Sequence, residues 1–207
     1  MLKIAHTYKD KLQIAYNKIV LTDKYKYFNF TNYWDYTIKL SENSWSDIEA
    51  VSVDKDDNII GFFRAGISRE SDKVSSLGIM NFYDKNVTFS RDLYVFLTDL
   101  FNKFNFRKIE FTVVIGNPAE DMYDRIMEKY GGSIVGTKKK STKLIDGKYY
   151  DVKMYEIFKE DFDKHWYVQR WVLRDFIKPT NVAKCWYDAL VGNNEYEELN
   201  AFVFRMF

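Results

Sequence analysis

The stretch Arg107–Gly136, RKIEFTVVIGNPAEDMYDRIMEKYGGSIVG, constrains this chain more than any other part of it. It reads as a strand, a helix and a second strand, and each boundary has a physical cause. Ile109, Phe111, Val113 and Ile115 alternate with Glu110, Thr112 and Val114, a nearly apolar run expected of a strand covered on both faces. Asn117 is placed to cap a helix, Pro118 stands at its first position, and Glu120 follows three residues after the cap. That order makes a capping-box-like start, with a carboxylate where the helix dipole favours it. Gly131 and Gly132 stop the helix, one of them in the left-handed conformation that glycine adopts at little steric cost.

The rest of the chain supplies partners for this unit. Ile4, Leu12, Ala15 and Ile19 lie at helical spacing and predict a helix over Leu2 to Val20. Tyr25–Phe30 and Trp34–Leu40 read as short strands or irregular connections. Ile48–Val53 and Ile59–Ile67 flank the polar turn Lys55-Asp56-Asp57-Asn58 and predict a hairpin. Val74–Phe82 predicts a further strand. Leu93, Phe96, Leu97, Leu100, Phe101 and Phe104 predict a helix over Ser90 to Phe104. Ile134–Lys139 and Tyr149–Phe158 predict two last strands, with Asp146-Gly147 turning between them. The order predicts an α/β fold, a mixed sheet with helices on its faces. From Lys159 the pattern changes to short aromatic helices around Trp166, Trp171, Trp186 and Tyr187, interrupted by Pro179. The chain therefore divides into a domain at 1–158 and an aromatic-rich, mainly helical extension at 159–207.

Composition removes several function classes. A net charge of +1 over 207 residues gives no global field for nucleic acid or a membrane surface. The lone Cys185 excludes an internal disulfide and a cysteine-based zinc cluster. His6 and His165 lie far apart without ligand spacing, so no metal site is expected. No apolar run reaches membrane-spanning length and the N-terminus lacks a signal-peptide core, so the expected setting is cytoplasmic. Aromatics make up 18% of the chain, an excess that an AT-rich codon bias explains; the other reading is an aromatic surface for binding. Lys138, Lys139, Lys140 and Lys143 cluster on the last hairpin and read as gatekeeper charges at a strand end.

The hairpin EAVSVDKDDNIIGFFRAGI, the strand SSLGIMNFY, the helix SRDLYVFLTDLFNKF, the NPAEDMYDRIMEKYGGSIVG module and the final STKLIDGKYYDVKMYEIF together resemble the GNAT superfamily, the Gcn5-related N-acetyltransferases. The resemblance covers about Ile48 to Phe158. It implies a mostly antiparallel sheet in which two neighbouring parallel strands, here Val74–Phe82 and Lys108–Ile115, splay apart. The pantothenate arm of acetyl-CoA would fill the gap against main-chain groups of Met80, Asn81 and Phe82. The pyrophosphate would sit on the loop Asp84–Ser90, where Lys85, Asn86, Thr88 and Ser90 supply donors, and Asn117 would contact the arm. The chain departs from the family at the phosphate loop, at the acid and at the end of the helix, where the usual glycine-phenylalanine is Gly131-Gly132. The usual Gln/Arg-x-x-Gly-x-Gly/Ala loop has no counterpart, since no glycine lies between Gly78 and Gly116. The position of the family's acid tyrosine, counted back from Gly131, holds Met127, which leaves Tyr123, one turn earlier, as the substitute acid.

The resemblance implies transfer of an acetyl group to an amine of a small molecule or protein. That chemistry needs a deprotonated amine, a thioester held beside it, and an acid for the departing thiolate. Glu49, Asp84 and, through water, Glu110 are the candidate bases. The glycine-free loop, the missing tyrosine and the aromatic extension open an alternative, a catalytically inactive GNAT-like fold used as a structural or interaction subunit. Trp166, Tyr167, Trp171, Trp186 and Tyr187 in the extension would then either pack on the sheet or dock a protein partner. The composition also suits a bacteriophage, and a virion or host-interacting protein is a concrete form of that alternative.

Overall fold

The computed structural model describes residues 1–20, 22–29, 37–43, 45–83 and 86–164. The expectations for Asp84, Lys85 and the aromatic helices beyond Lys164 lie outside the described residues. The described chain forms a seven-stranded sheet in the order β1-β2-β3-β4-β5-β7-β6. Its strands are β1 Leu2–Ile4, β2 Asp47–Val53, β3 Ile59–Ser68, β4 Lys73–Asn81, β5 Lys108–Val114, β6 Ser133–Lys143 and β7 Tyr149–Phe158. Every adjacent pair is antiparallel except β4 and β5. Three α-helices accompany them, α1 Lys9–Asn17, α2 Val87–Asn102 and α3 Glu120–Tyr130, with 3-10 helix at Ala5–Tyr8 and Asp23–Asn29. This is the mixed α/β sheet with a parallel pair and flanking helices that the sequence predicts. Among the described residues no helix is long and apolar enough to cross a membrane.

The strand alternation sorts the core onto two faces. Phe63 points to the face covered by α2, stacking on Phe89 at 5.0 Å and Phe96 at 5.4 Å. Tyr123 and Met127 of α3 join the same cluster with Phe111 and Tyr155. On the opposite face Leu12 and Tyr16 of α1 pack with Val51, Val53 and Phe62. Gly61 makes the closeness of α2 possible, because a Cβ there would lie 2.1 Å from the Phe89 ring. Gly131 ends α3 at φ 73°, the left-handed stop expected from the sequence.

Several boundaries differ from the sequence expectation. Leu2–Ile4 is not helical but pairs with Ser52, Val51 and Ala50, and Ile4, counted in the apolar stripe, is 68% exposed. Tyr25–Asn29, expected as a short strand or an irregular connection, belongs to 3-10 helix with a kink at Tyr25, and residues 30–36 lie outside the described residues. The second helix starts at Val87, three residues before Ser90, because Asn86 is its cap: its side chain accepts the Phe89 N–H at 3.0 Å. Asn117 caps a turn that precedes α3, accepting from the Ala119 N–H at 2.9 Å, while Glu120 reaches back to the Gly116 N–H at 2.9 Å. The expected capping box is therefore not formed: α3 begins at Glu120 with Ala119 as its cap and no side-chain cap bond, and Asn117-Pro118 makes a turn ahead of the helix. After β7 the chain is helical over 159–164, and Phe162 enters the main core with its ring 4.8 Å from Phe101.

Candidate functional site

β4 and β5 run parallel and pair at only two positions, Lys73 with Lys108 and Val74 with Ile109. Beyond Val74 they part. β4 stays paired to β3 as far as Asn81, and β5 stays paired to β7 as far as Val114. Each strand therefore keeps one zipped edge and turns the peptide groups of its other edge into the gap. The gap widens into a cleft of about 960 Å³. Leu77, Ile79, Leu93, Phe111 and Tyr123 line it towards the helices α2 and α3. Arg64, Lys108 and Glu110 line it towards the α1 face.

The apex is held by charge. Lys73 Nζ lies 2.7 Å from Glu110, and Lys108 Nζ lies 2.9 Å from Glu110 and 2.5 Å from Glu156. Hydrogen bonds from Lys73 and Lys108 hold the Glu110 carboxyl below the usual range, and Lys108 does the same to Glu156. The same bonds, from Glu156 first and Glu110 second, raise the Lys108 ammonium. Glu110 is thus a twice-paired anion, which makes it a poor proton acceptor.

The open end is crossed by the 3-10 segment Asp23–Asn29. The Tyr25 hydroxyl donates to the Phe82 carbonyl at 3.1 Å, just past β4. The Tyr27 hydroxyl donates to the Gly116 carbonyl at 2.6 Å, just past β5.

The candidate cofactor residues fall around this gap unevenly. Met80, Asn81, Ser90 and Asn117 line the cleft. Phe82 is buried and its main chain is already engaged, its N–H donating to Ile60 and its carbonyl accepting from Tyr25. Asn86 spends its side chain on the helix cap, and the Ser90 hydroxyl donates to the Asn86 carbonyl at 3.3 Å. Thr88 sits in the first turn of α2.

The candidate catalytic residues lie on opposite sides. Tyr123 is buried on α3, edge-on to Phe111 at 5.2 Å, and lines the cleft. Its hydroxyl has no hydrogen-bond partner among the described residues, and burial pushes the phenol well above its ordinary value. Glu49, on β2, does not line the cleft but stands behind Arg64, whose Nε lies 3.5 Å from it. The Ser41 N–H donates to Glu49 Oε2 at 3.0 Å, while the buried Oε1 has no hydrogen bond. Burial raises the Glu49 carboxyl above its usual range, more than Ser41 and Arg64 lower it. Arg64 also donates to Asp47 at 3.0 Å.

A polar network behind Tyr123 was not expected from the sequence. The Tyr155 hydroxyl donates to Asp124 at 2.6 Å, and Lys153 lies 2.9 Å from Asp124 and 2.5 Å from Glu120. It ties α3 to β7 and so fixes the helix that carries Tyr123. The spacing Glu120/Asp124, one helical turn, is its single linear signal.

No protein-family model matches the sequence, and no curated protein matches it by sequence. Solved structures do match by fold. The spermidine/spermine N-acetyltransferase SpeG of Vibrio cholerae with manganese is similar over 79% of this chain and 95% of its own, at 18% identity and a TM-score of 0.57. A mutant form of the same enzyme is similar over 78% and 95%, at 18% identity and a TM-score of 0.58. Against another acetyltransferase structure the chain spans 60% of that protein's length, at a TM-score of 0.48, too loose to argue from. At these identities the likeness is one of architecture. With its divided parallel pair and flanking helices, the chain has the fold of the GNAT acetyltransferases.

Proposed function

We propose that the chain is an acyl-CoA-dependent N-acyltransferase that moves an acetyl group to an amine of a small molecule or protein. The observation that carries this reading is the parting of β4 and β5 after two paired positions. An extended ligand bearing amides can pair with peptide groups on such an edge as a strand would. Bound acetyl-CoA would supply a thioester, an acyl carbon activated towards an amine. The residues fit its arm better than its phosphates. The first turn of α2, with Asn86, Thr88 and Ser90, is the natural anion contact, but one of its N–H groups, that of Phe89, already serves Asn86.

In this reading Met80, Asn81 and Asn117 hold the arm, and Tyr123 gives a proton to the leaving sulfur. Its hydroxyl carries a proton at neutral pH, and burial, by raising its pKa, makes it a weaker acid than a free tyrosine, so it gives that proton up only as negative charge develops on the sulfur beside it. Glu49 takes the amine proton through solvent in the cleft, past Arg64. Its burial raises its affinity for that proton. The structural neighbours act by name on spermidine. Here Asp47 and Glu49 are paired with Arg64, and Glu110 and Glu156 with Lys108, which does not favour a polycation over other amines.

The self-capped, glycine-free start of α2 supports a second reading, the fold kept as a binding subunit without acyl transfer. Thermal melting separates the two. Acetyl-CoA at a hundred times its dissociation constant adds about 2.7 kcal/mol to a protein that binds it, and thiol release with an amine panel then reports transfer. A melting curve unmoved by millimolar acetyl-CoA would leave only the second reading.

A further inference from the structure

We propose that Tyr25 and Tyr27 are positioning residues, a spacer pair that keeps the mouth between β4 and β5 open before any ligand arrives. As a statement about acyl-CoA binding, this rests on the acyltransferase reading. Two parallel strands already in register at Lys73/Lys108 and Val74/Ile109 gain hydrogen bonds by zipping further. A bulge at Ser75, the β4 residue skipped between the pairs Gly66/Ser76 and Ile67/Val74, starts the parting just past Val74. It does not set how far apart the two strand ends stand, and that width needs something to hold it.

The segment Asp23–Asn29 touches both jaws. Tyr25 and Tyr27, two residues apart, donate to the carbonyls of Phe82 and Gly116, each just beyond one of the diverging strands. A break in the 3-10 helix at Tyr25, φ −110° and ψ 19°, lets side chains so close in sequence reach in different directions. The segment is pinned further on both sides. Phe28 packs on Phe82 with ring centroids 6.3 Å apart. Lys26 lies 5.1 Å from the ring centroids of Tyr27 and Tyr150 and donates to the Tyr150 hydroxyl at 3.2 Å. The Gly116 peptide is gripped at both ends, its carbonyl by Tyr27 and its N–H by Glu120. Tyr27 thereby also fixes the turn that presents Asn117. A gap held at its working width spares the ligand the cost of opening it.

The test uses Tyr25→Phe, Tyr27→Phe and the double variant, which remove hydroxyls and keep the rings. CoA affinity is measured by calorimetry, and amide exchange of 75–81 and 110–114 is followed without ligand. Each single change should weaken CoA binding about ten-fold. The double should be no more than about two-fold worse than either single, since the two hydroxyls set the width only while both jaws are bonded, and the remaining contacts of Phe28 and Lys26 hold the segment to the protein without bridging the gap. Exchange of the gap amides should slow in all three as the strands close, with the far-ultraviolet spectrum unchanged. Wild-type affinity in the variants, or losses that multiply in the double, would overturn the spacer. If the wild-type protein itself binds no CoA, the acyltransferase reading fails separately, and the exchange data alone decide. Gap amides that exchange as in wild type would then overturn the spacer.

Discussion

Lys73 and Glu110 meet at 2.7 Å across the last paired rungs of the parallel strands, where the sheet divides. Glu110 also takes Lys108, which takes Glu156 on β7, so a row of alternating charge crosses three strands at the apex. Lysine hydrogen bonds lower the pKa of both glutamates relative to the unfolded chain. The stability they add is therefore present above about pH 4.5 and is lost as pH falls through the lowered folded values. Replacing Glu110 by Gln should cost about 1–2 kcal/mol at pH 7, as for a charge-assisted bond, and should flatten the loss of stability below pH 4. Urea titrations between pH 3 and 7 check both; equal slopes for variant and wild type would remove the apex from the account.

Glu49 behaves in the opposite sense. Burial raises its pKa, so its favourable contribution belongs to the protonated form, complete below the unfolded value and lost as pH rises through the folded one. Glu49→Gln, fixed in the uncharged state, should be at least as stable as wild type at pH 7 and should converge with it below about pH 4. If Glu49 is the base, the same variant should lose turnover by at least about a hundred-fold without losing acetyl-CoA affinity. A less stable, fully active variant would refute the assignment.

Tyr123→Phe removes one hydroxyl from the cleft wall and leaves the ring against Phe111. The unliganded melting temperature should stay put, since that hydroxyl bonds nothing among the described residues. Turnover should fall by about two orders of magnitude or more with KM little changed, as expected for loss of a general acid. Unchanged turnover would dismiss Tyr123 as the acid.

Gly61→Ala tests how α2 is seated. The added Cβ would meet the Phe89 ring at 2.1 Å and the Met80 carbonyl at 2.7 Å. Overpacking of this kind costs about 1–3 kcal/mol, and displacement of Phe89 disturbs the first turn of α2. We expect a lower denaturation midpoint together with weaker CoA binding; a lower midpoint with intact binding would separate that turn from the ligand.

The strand–helix–strand module was legible because its signals are local. The strand and the Gly131 stop reappear in the structure, while the Asn-Pro pair forms a turn just before the helix, which starts at Glu120. The strand is fully covered on one face only, its other face lining the cleft. The β2–β3 hairpin was legible for the same reason, with Asp54 capping its turn through the N–H groups of Asp56 and Asn58. Leu2–Ile4 misled because three residues cannot show a period of two, and their pairing with β2 is long-range. The site was legible only in outline. Met80, Asn81, Ser90 and Asn117 line the cleft, but the engagement of Phe82 and the separation of Glu49 from the cleft by Arg64 depend on contacts between distant elements. The Tyr25–Tyr27 strut left no trace because its acceptors are backbone carbonyls 57 and 89 residues away.

Amide hydrogen exchange across 75–81 and 110–114, with and without CoA, tests the divided sheet most directly. The amides facing the gap should exchange quickly in the free protein and slow markedly when CoA is added, while those paired to β3 and β7 stay slow throughout. Gap amides already protected in the free protein, or indifferent to millimolar CoA, would contradict it.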